Sequence, residues 1–346
     1  MTHSTRRDFI KHASLGAAAL SVPNFVAAAP PEVTSRPANR REVWIATVTQ
    51  YGIEGNDLDS TLKAALRQME NVVPFSPHIV CLPEAFPTAG IRGPKPPMNE
   101  SAENGSGNII GPFQDFAKKH SCYVICPVYI ADHGKYYNAA VVINPLGKRI
   151  GEYRKIRLTT GECQQLVPGL RNDIPVFETP FGKFGIQICF DVEWPDGWRT
   201  LGEKGADIVF WPSAFAGGKM LNAFAFQNHY HVVTSTRKGT SKICDLTGDV
   251  LAASGGYSPW GVCAPVNLEK AFLHSWPYNK HFPAIEKKYG RDVRITTLHE
   301  EEFTIIESLS DDIKVADILK EFDLKTHREH LRLAEGAQDK FYHEIQ

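Results

Sequence analysis

The segment "GIQICFDVEWPDGWR", residues 185–199, joins an apolar run, one cysteine and an acidic and aromatic stretch. Its apolar residues predict a buried strand that ends at Cys189. A free cysteine at such a position is most often a small core residue. The position also suits a nucleophile that a short turn raises out of the sheet. The other motifs of the chain decide between these two interpretations.

Length and charge restrict the class of protein. The chain has 346 residues, which suits one large α/β domain with extensions. Hydrophobic residues make up 42% and charged residues 22%, as in ordinary globular proteins. The formal net charge is −1 and no long run of lysine and arginine occurs, so nucleic acid is not an expected partner. Apart from a weakly apolar N-terminal segment, no stretch approaches the roughly 18 residues of a membrane-spanning helix.

The N-terminus has the parts of an export signal. Arg6 and Arg7 precede a mildly apolar stretch, and Ala27–Ala29 precede Pro30. This order of basic, apolar and small residues is typical of a secretory signal, and the paired arginines resemble a twin-arginine signal. We therefore predict a signal peptide over residues 1–29 and a mature protein in the bacterial periplasm, without a membrane anchor after export. A disordered tail with two chance arginines is the alternative.

Hydrophobic periodicity predicts alternating strands and helices. The helix predicted over residues 57–73 has Leu58, Leu62 and Met69 on one face, with Asp57 or Asp59 as its cap. Residues 91–110, rich in Pro, Gly and Asn, predict a long loop. Interleaving of the two element types indicates the α/β class. The other predicted elements are strands within 41–51, 78–86, 122–130, 138–155, 175–189 and 206–213, helices over 111–120 and 198–203, a helix and strand within 222–239, and a hairpin over 242–255.

The cysteines predict thiols rather than a disulfide framework. Seven of them, at positions 81, 122, 126, 163, 189, 244 and 263, form an odd set without regular spacing. Cys122 and Cys126 lie four residues apart on one face of a predicted strand, where they suit core packing better than metal binding. Buried thiols remain reduced in an oxidising compartment if the protein folds before export, which is our hypothesis for this chain.

Two charged residues have the same kind of position as Cys189. Glu84 follows the apolar run of "VCLPEAF", and Lys155 ends "GKRIGEYRK". Ligands of open α/β sheets collect at the carboxyl ends of strands, where all three residues are predicted to lie. Taken singly, each charge reads as a solvated residue at the end of a strand. A neutral thiol is a weak nucleophile, so a nucleophilic cysteine needs a base that takes its proton or a cation that favours the thiolate.

In order and rough spacing these motifs resemble the nitrilase, or carbon–nitrogen hydrolase, superfamily. The resemblance extends from residue 43 to about residue 270 and includes "LPEAF", "GEYRKIRL", "GKFGIQICFDVEWP" and "GADIVFWPSAF". It implies that Glu84 is a general base, that Cys189 attacks the substrate carbon, and that Lys155 stabilises the negative charge that develops. It also implies a four-layer α-β-β-α sandwich over residues 40–271, with a C-terminal extension over 272–346. A small amide, nitrile or N-carbamoyl substrate is expected, without metal or cofactor, in a homodimer or larger homo-oligomer.

The resemblance leaves the type of substrate open. Glu162 lies seven residues after Lys155, a spacing like that of the nitrile-hydrolysing branch, and is expected to orient Lys155 and the substrate; a surface loop charge is the alternative. "CFD" at Cys189 resembles the amide-hydrolysing branches instead. Residues 222–233 lack the arginine and glutamate that are common in relatives. His229 and His231, placed on one face of a strand, are interpreted as structural rather than as metal ligands.

Three other interpretations are less well supported by the sequence. A papain-like hydrolase needs its own local signature around the cysteine, and Cys189 does not have it. The glycines of "NGSGNIIG" lie in a loop instead of between a strand and a helix, so they do not indicate dinucleotide binding. A catalytically silent relative with a binding or structural role is the serious alternative. The presence of Glu84, Lys155 and Cys189 argues against it.

Overall fold

The computed structural model describes residues 42–345. The predicted signal peptide over residues 1–29 lies outside this part of the chain. Within residues 42–345, no helix combines the length and the hydropathy needed to cross a bilayer.

The strands are β1 (Glu42–Val48), β2 (Ile79–Cys81), β3 (Tyr123–Asp132), β4 (Lys135–Ile143), β5 (Arg149–Arg154), β6 (Val176–Thr179), β7 (Gly182–Ile186), β8 (Ile208–Ser213), β9 (His231–Thr236), β10 (Lys242–Cys244), β11 (Val250–Ala253), β12 (Gly261–Asn267), β13 (Lys270–His274), β14 (Val293–Leu298) and β15 (Phe303–Ser308). The α-helices are α1 (Leu58–Met69), α2 (Phe86–Ala89), α3 (Met98–Ser101), α4 (Gly111–His120), α5 (Pro195–Glu203), α6 (Lys219–Asn228), α7 (Phe282–Tyr289), α8 (Val315–Glu321) and α9 (His327–Ile345).

Two six-stranded sheets form the centre of the fold. Their strand orders are β12-β1-β2-β3-β4-β5 and β11-β10-β9-β8-β7-β6. In the first sheet β1, β2 and β3 are parallel, and in the second β7, β8 and β9 are parallel. The outer strands of both sheets pair antiparallel. Each sheet thus has a parallel centre, whose strands end at a common edge.

The sheets and helices form four layers. Ile45 and Ile125 of the first sheet share an apolar core with Phe184 and Phe210 of the second. The other face of the first sheet packs against α1 and α4, which add residues such as Phe113 to a second core. Helices α5 and α6 cover the second sheet with apolar side chains, including Trp198 and Leu221. The predicted α-β-β-α sandwich is therefore confirmed.

Helix α1 illustrates why these segments fold as the sequence predicts. The Asp57 carboxylate accepts a hydrogen bond from the backbone N–H of Ser60, at 2.8 Å, and thereby caps the first turn. Leu62 and Met69 lie on the buried face that the periodicity predicts. The α-helix ends earlier than predicted, at Met69. A 3₁₀ helix, Glu70–Phe75, continues the chain and contains Pro74, which cannot donate a helical hydrogen bond.

The C-terminal region forms a third sheet. Its strand order is β13-β15-β14, and helices α7 and α8 pack against it through residues such as Ile285 and Ile318. The apolar segment "FTIIES" forms strand β15, and the charged C-terminal segment forms helix α9 from His327 onward. The sequence did not reveal β13, β14, α7 or α8. The boundary predicted between residues 271 and 272 falls within β13.

The predicted loop over residues 91–110 contains more structure than its composition indicates. It includes the short helix α3 and a buried carboxylate, Glu103. Glu103 accepts backbone hydrogen bonds from Gly105, Gly107, Ile109 and Ile110, at 2.7–3.2 Å. Burial opposes ionisation, but these four bonds hold the pKa of Glu103 below its usual value. The loop is therefore fixed by one ionised side chain.

The thiols have the arrangement that the sequence predicts. All seven cysteines are free. Cys122 and Cys126 are buried in the core between the first sheet and its helices. Burial raises the pKa of Cys122 to about 12, so this thiol is inert at neutral pH.

Candidate active site

Cys189 begins a turn just beyond the end of β7. Its φ angle is +45°, a left-handed conformation that is costly for a residue with a side chain. The indole N–H of Trp211 donates a hydrogen bond of 3.0 Å to the Cys189 carbonyl oxygen and helps to hold this conformation. The side chain is 7% exposed. A strained, nearly buried thiol at a strand end is the arrangement expected of a nucleophile on a turn.

Glu84 and Lys155 lie beyond the ends of β2 and β5, as the sequence predicts. Glu84 is 3% exposed and Lys155 is 1% exposed. The Lys155 ammonium lies 2.9 Å from Oε1 of Glu84. Two opposite charges removed from water in this way need a close partner to offset the loss of hydration. The structure thus brings the two predicted charges together in the interior.

Glu162 belongs to the same network. The Lys155 ammonium donates to both of its carboxylate oxygens, at 2.9 and 2.8 Å. The backbone N–H of Thr159 and its hydroxyl also donate to Oε2 of Glu162, at 2.8 and 3.0 Å. Burial opposes ionisation, but Lys155 and these hydrogen bonds hold the pKa of Glu162 below its usual value. Glu162 is therefore not a free surface charge, because it fixes the position of Lys155.

Asn138 of β4 is a member of the site that the sequence interpretation missed. Its side-chain amide donates to Oε1 of Glu84, at 2.9 Å, and to Oε1 of Glu162, at 2.8 Å. Asn138 is 1% exposed. A polar residue at the start of the otherwise apolar "NAAVVI" was the available signal. The carboxylates of Glu84 and Glu162 thus share two donors, the Lys155 ammonium and the Asn138 amide.

Burial and the neighbouring charges together set the pKa of the Cys189 thiol. Burial and the negative charge of Glu84 raise the pKa of Cys189 to about 11, although Lys155 and hydrogen bonds from Ala214 and Ser213 act in the opposite direction. Burial alone lowers the pKa of Lys155, but the charges of Glu84, Cys189 and Glu162 raise it above its usual value. At neutral pH the site therefore holds a neutral thiol next to an ammonium.

Glu84 has one oxygen available. Its Oε1 accepts from Lys155 and Asn138, whereas the buried Oε2 has no hydrogen-bond partner among the described residues. A buried carboxylate oxygen without a donor is uncommon, because it loses hydration without compensation. The guanidinium of Arg237 lies 3.5 Å from this oxygen, outside hydrogen-bond range. Oε2 is thus free to accept a proton from a neighbouring group.

Asp191 connects the cysteine turn with the segment that contains Lys155. Its Oδ2 accepts from the backbone N–H of Ile188 and from the Tyr153 hydroxyl, both at 2.8 Å. Its Oδ1 accepts from the backbone N–H of Arg157, also at 2.8 Å. Complete burial raises the pKa of Asp191 to about 6, against the effect of these donors. The Asp191 side chain therefore holds the turn at Cys189 against the segment on both sides of Lys155.

The positions of His229 and His231 differ from those that the sequence predicts. His229 ends α6 with a φ angle of +53°, and only His231 lies in β9. The expectation that they share a strand face is wrong, because the left-handed turn at His229 reverses the chain between them. His229 contacts His327, with 2.7 Å between ring nitrogens, and His231 lies 3.4 Å from Asp245. Among the described residues, no three His, Cys, Asp or Glu side chains are grouped to hold a metal ion.

Comparison with known proteins identifies the family. Residues 45–268 match the family model of the carbon-nitrogen hydrolases. The chain belongs to the carbon–nitrogen hydrolase family. The predicted superfamily and its approximate extent along the chain are thus confirmed, and hydrolysis of carbon–nitrogen bonds is the general activity that this membership supports.

Individual relatives agree with this assignment. A nitrilase from Pyrococcus abyssi is 32% identical over 181 residues, which cover 51% of this chain and 68% of that protein. A deaminated glutathione amidase from Synechocystis sp. is 26% identical over 257 residues, which cover 66% and 93%. A carbon-nitrogen hydrolase from Helicobacter pylori has the same fold, with a TM-score of 0.59 at 18% identity over 72% of this chain and 94% of that one.

Proposed function

We propose that the protein hydrolyses a non-peptide carbon–nitrogen bond of a small amide or nitrile through a covalent intermediate on Cys189. The observation that supports this most is the Lys155 ammonium, held between Glu84 and Glu162 and acting electrostatically on the Cys189 thiol. A base, a cation and a thiol are the three groups that acyl transfer to sulfur requires.

The first half of the reaction uses the free oxygen of Glu84. Oε2 accepts the thiol proton as the sulfur of Cys189 attacks the substrate carbon. An N–H of Lys155 donates to the oxygen or nitrogen on which negative charge develops. With an amide, the tetrahedral intermediate collapses and the carbon–nitrogen bond breaks. Glu84 returns the proton to the departing nitrogen, which leaves ammonia or an amine and a thioester.

The second half of the reaction restores the thiol. Glu84 takes a proton from a water molecule, whose oxygen attacks the thioester carbon. Lys155 again stabilises the negative charge, and the carbon–sulfur bond breaks to release a carboxylic acid. The proton held by Glu84 returns to the sulfur of Cys189. Glu162 and Asn138 take no proton in this scheme, since their contacts serve to hold Lys155 and Glu84 in place.

A catalytically silent binding protein is the alternative function. It has no need for a thiol, a base with a free oxygen and a fixed ammonium in one buried site. Screening for ammonia release from amides, nitriles and N-carbamoyl compounds distinguishes the two functions. We expect at least one class to be turned over by the wild type and by Cys263→Ala, a control on the edge strand β12, but not by Cys189→Ala. Turnover that survives in Cys189→Ala would contradict the proposed function.

A further inference from the structure

Four histidine side chains meet where helix α9 joins the rest of the protein. They are His229 at the end of α6, His274 at the end of β13, and His327 and His330 in the first turn of α9. Nε2 of His229 lies 2.7 Å from Nδ1 of His327. The ring centroid of His274 lies 5.5 Å from that of His330 and 6.4 Å from that of His327. This histidine cluster brings together four groups of a type that changes charge near neutral pH.

The histidine cluster packs against two aromatic rings. The ring of His229 stacks on Phe272 of β13, with 3.9 Å between ring centroids. Phe303 of β15 contacts the rings of His327 and His274, at 4.7 and 5.8 Å. Nδ1 of His229 and Nδ1 of His274 are buried and have no hydrogen-bond partner of normal geometry among the described residues. Such surroundings favour the neutral imidazole, because a charged ring loses hydration there without compensation.

Other titratable groups lie around the histidine cluster. Those on α9 and on the neighbouring elements are Arg328, Glu329, Arg332 and Glu335 of α9, Arg199 and Glu203 of α5, Asp207, Tyr230 and Glu302. The charges of Asp207 and Glu203 act on the Arg328 guanidinium. Glu329 accepts hydrogen bonds from the backbone N–H and the hydroxyl of Thr326, at the start of α9. The ion pairs between histidines and carboxylates within residues 42–342 involve histidines outside the cluster.

Burial and neighbouring positive charge both oppose protonation of the histidine cluster. Burial, then His327 and Arg328, lower the pKa of His229 to about 3. Burial, then His274 and His330, lower the pKa of His327. Each proton that is added therefore makes the next one harder to accommodate while the four rings stay together.

Helix α9 is attached to the rest of the protein through its first turn. Besides the histidine cluster, the Arg328 guanidinium donates to the carbonyl oxygen of Asn228, at 2.7 Å. Further along the helix, Leu331 and Leu333 are 47% and 62% exposed, and residues 335–342 are all exposed. A groove of about 1000 Å³ lies between α9 and helices α5 and α6. The contacts of the first turn therefore decide whether α9 stays in place.

We propose that the histidine cluster is a pH-dependent attachment for α9: the neutral rings hold the helix against β13 and the end of α6, and their protonation releases it. The contact between His229 and His327 needs one ring nitrogen that accepts a hydrogen bond. A protonated imidazole has only donors, so two protonated rings repel each other instead of bonding. This inference concerns the C-terminal region and does not depend on the proposed activity.

The direction of the pH effect follows from the lowered pKa values of His229 and His327. Both rings take up a proton more readily once they are released into water, where a pKa of 6.5 applies. The attachment is therefore complete above pH 6.5 and weakens as the pH falls below it. Below pH 6.5 the ratio of released to attached helix should rise about tenfold per pH unit for each proton taken up, and about a hundredfold for two.

Hydrogen exchange followed by mass spectrometry tests the inference. Protection factors, which correct for the intrinsic pH dependence of exchange, are compared between pH 7 and pH 5 for peptides that cover residues 327–335 and the central strand β8. In the wild type, the protection of residues 327–335 should fall by about a hundredfold per pH unit below pH 6.5. Strand β8 should be more strongly protected at every pH, because α9 is released without unfolding of the central sheets.

Variants without the titrating rings should remove the pH dependence. His229→Asn combined with His327→Gln should make the protection of residues 327–335 nearly independent of pH, and each single variant should leave a change of about tenfold per pH unit. Lost packing lowers protection equally at every pH, so the slope reports the titration. His327→Gln replaces a partly buried ring and keeps the test available if the double variant does not fold. His133→Asn is the matched control, since His133 also has a left-handed backbone and its side chain is 96% exposed; it should behave as the wild type.

Three results would overturn the inference. One is a wild-type α9 whose protection does not change between pH 7 and pH 5. Another is a slope that stays the same in the double variant, which would mean that other groups titrate. The third is equal protection of residues 327–335 and β8, which would mean that α9 opens only when the whole protein unfolds.

Discussion

The ammonium of Lys155 lies 2.9 Å from Oε1 of Glu84, and both side chains are almost completely buried. Removal of one partner from a buried pair leaves the other charge uncompensated, which typically costs about 3–5 kcal/mol. Loss of Lys155 leaves the two carboxylates without their common partner, whereas loss of the Glu84 charge leaves Glu162 to pair with the ammonium. Substitutions in this network therefore change activity, and some of them also change stability, so the two effects have to be measured separately.

Glu84→Gln should abolish nearly all turnover with a small effect on stability, because glutamine keeps an oxygen for Lys155 but is not a base at neutral pH. Lys155→Ala should abolish turnover and also lower the free energy of unfolding by about 3 kcal/mol or more. The double variant should be no less active than either single variant, since the groups act as one unit. Steady-state rates and urea unfolding measure these effects. If the activity losses of the two single variants multiply in the double variant, the two groups do not act as one unit.

Asp191→Asn should lower kcat and stability together. The amide cannot accept all three hydrogen bonds from Ile188, Tyr153 and Arg157, and each buried donor left unpaired costs about 1–3 kcal/mol. Asp196→Asn is the matched control, since Asp196 is exposed and pairs with Arg157 at the surface. That control should change stability by less than about 1 kcal/mol. Equal effects of the two variants on kcat would show that Asp191 does not position the site.

Alkylation of Cys189 should accelerate as the pH rises. The thiolate is the reactive form, and the pKa of this thiol is raised to about 11 by burial and by Glu84. Without substrate, the rate with iodoacetamide should increase from pH 7 to pH 10 without a plateau, as followed by the mass of the peptide that contains Cys189. A plateau below pH 8 would contradict a neutral resting thiol.

Acid should destabilise the fold through His229. Burial, together with His327, lowers its pKa to about 3 in the folded protein, below the value of 6.5 that applies when it is exposed. Its contribution to stability is therefore complete above pH 6.5 and is lost progressively as the pH falls from 6.5 toward 3. Between pH 7 and pH 5 this group alone should remove about 2 kcal/mol. Asn at position 229 tolerates the left-handed backbone and does not titrate, so His229→Asn should show a correspondingly smaller decrease in urea unfolding experiments.

The N-terminal sequence predicts export of the folded protein by the twin-arginine route. Arg6→Lys combined with Arg7→Lys should leave the protein in the cytoplasm, since this route depends on the arginine pair. Cell fractionation and N-terminal sequencing check this, with a start near residue 30 expected for the exported form. Periplasmic protein that begins at Met1 would contradict cleavage.

Some parts of the site could be predicted from the sequence and others could not. Glu84, Lys155 and Cys189 follow apolar runs whose ends can be read directly, and the topology brings strand ends together. Asn138 lies within a predicted strand, and its sequence context does not show that it faces two carboxylates. Arg237 follows a strand in "STRKG", which reads as a surface turn until β9 is placed beside Glu84.

The same distinction applies to the fold. The strands of the two large sheets are rich in apolar residues, so their hydrophobic pattern is clear in the sequence. Strand β14 and helix α7 expose much of their surface, and their apolar residues are too sparse to give a pattern. Glu103 fixes a Gly-rich loop through backbone contacts that no periodicity predicts. The oligomeric state expected from the family resemblance stays a prediction.

The central claim is that Cys189 carries the acyl group during turnover, and the most direct test is the mass of a trapped intermediate. Glu84→Asp keeps a carboxylate but retracts it by one methylene, which should slow activation of water and let the thioester accumulate. The variant is mixed with the best amide substrate and quenched in acid, and intact and peptide masses are measured. We predict a mass increase equal to the acyl portion of the substrate, on the peptide that contains Cys189. The same increase on the exposed Cys163 or on Cys244, with Cys189 unmodified, would contradict the account.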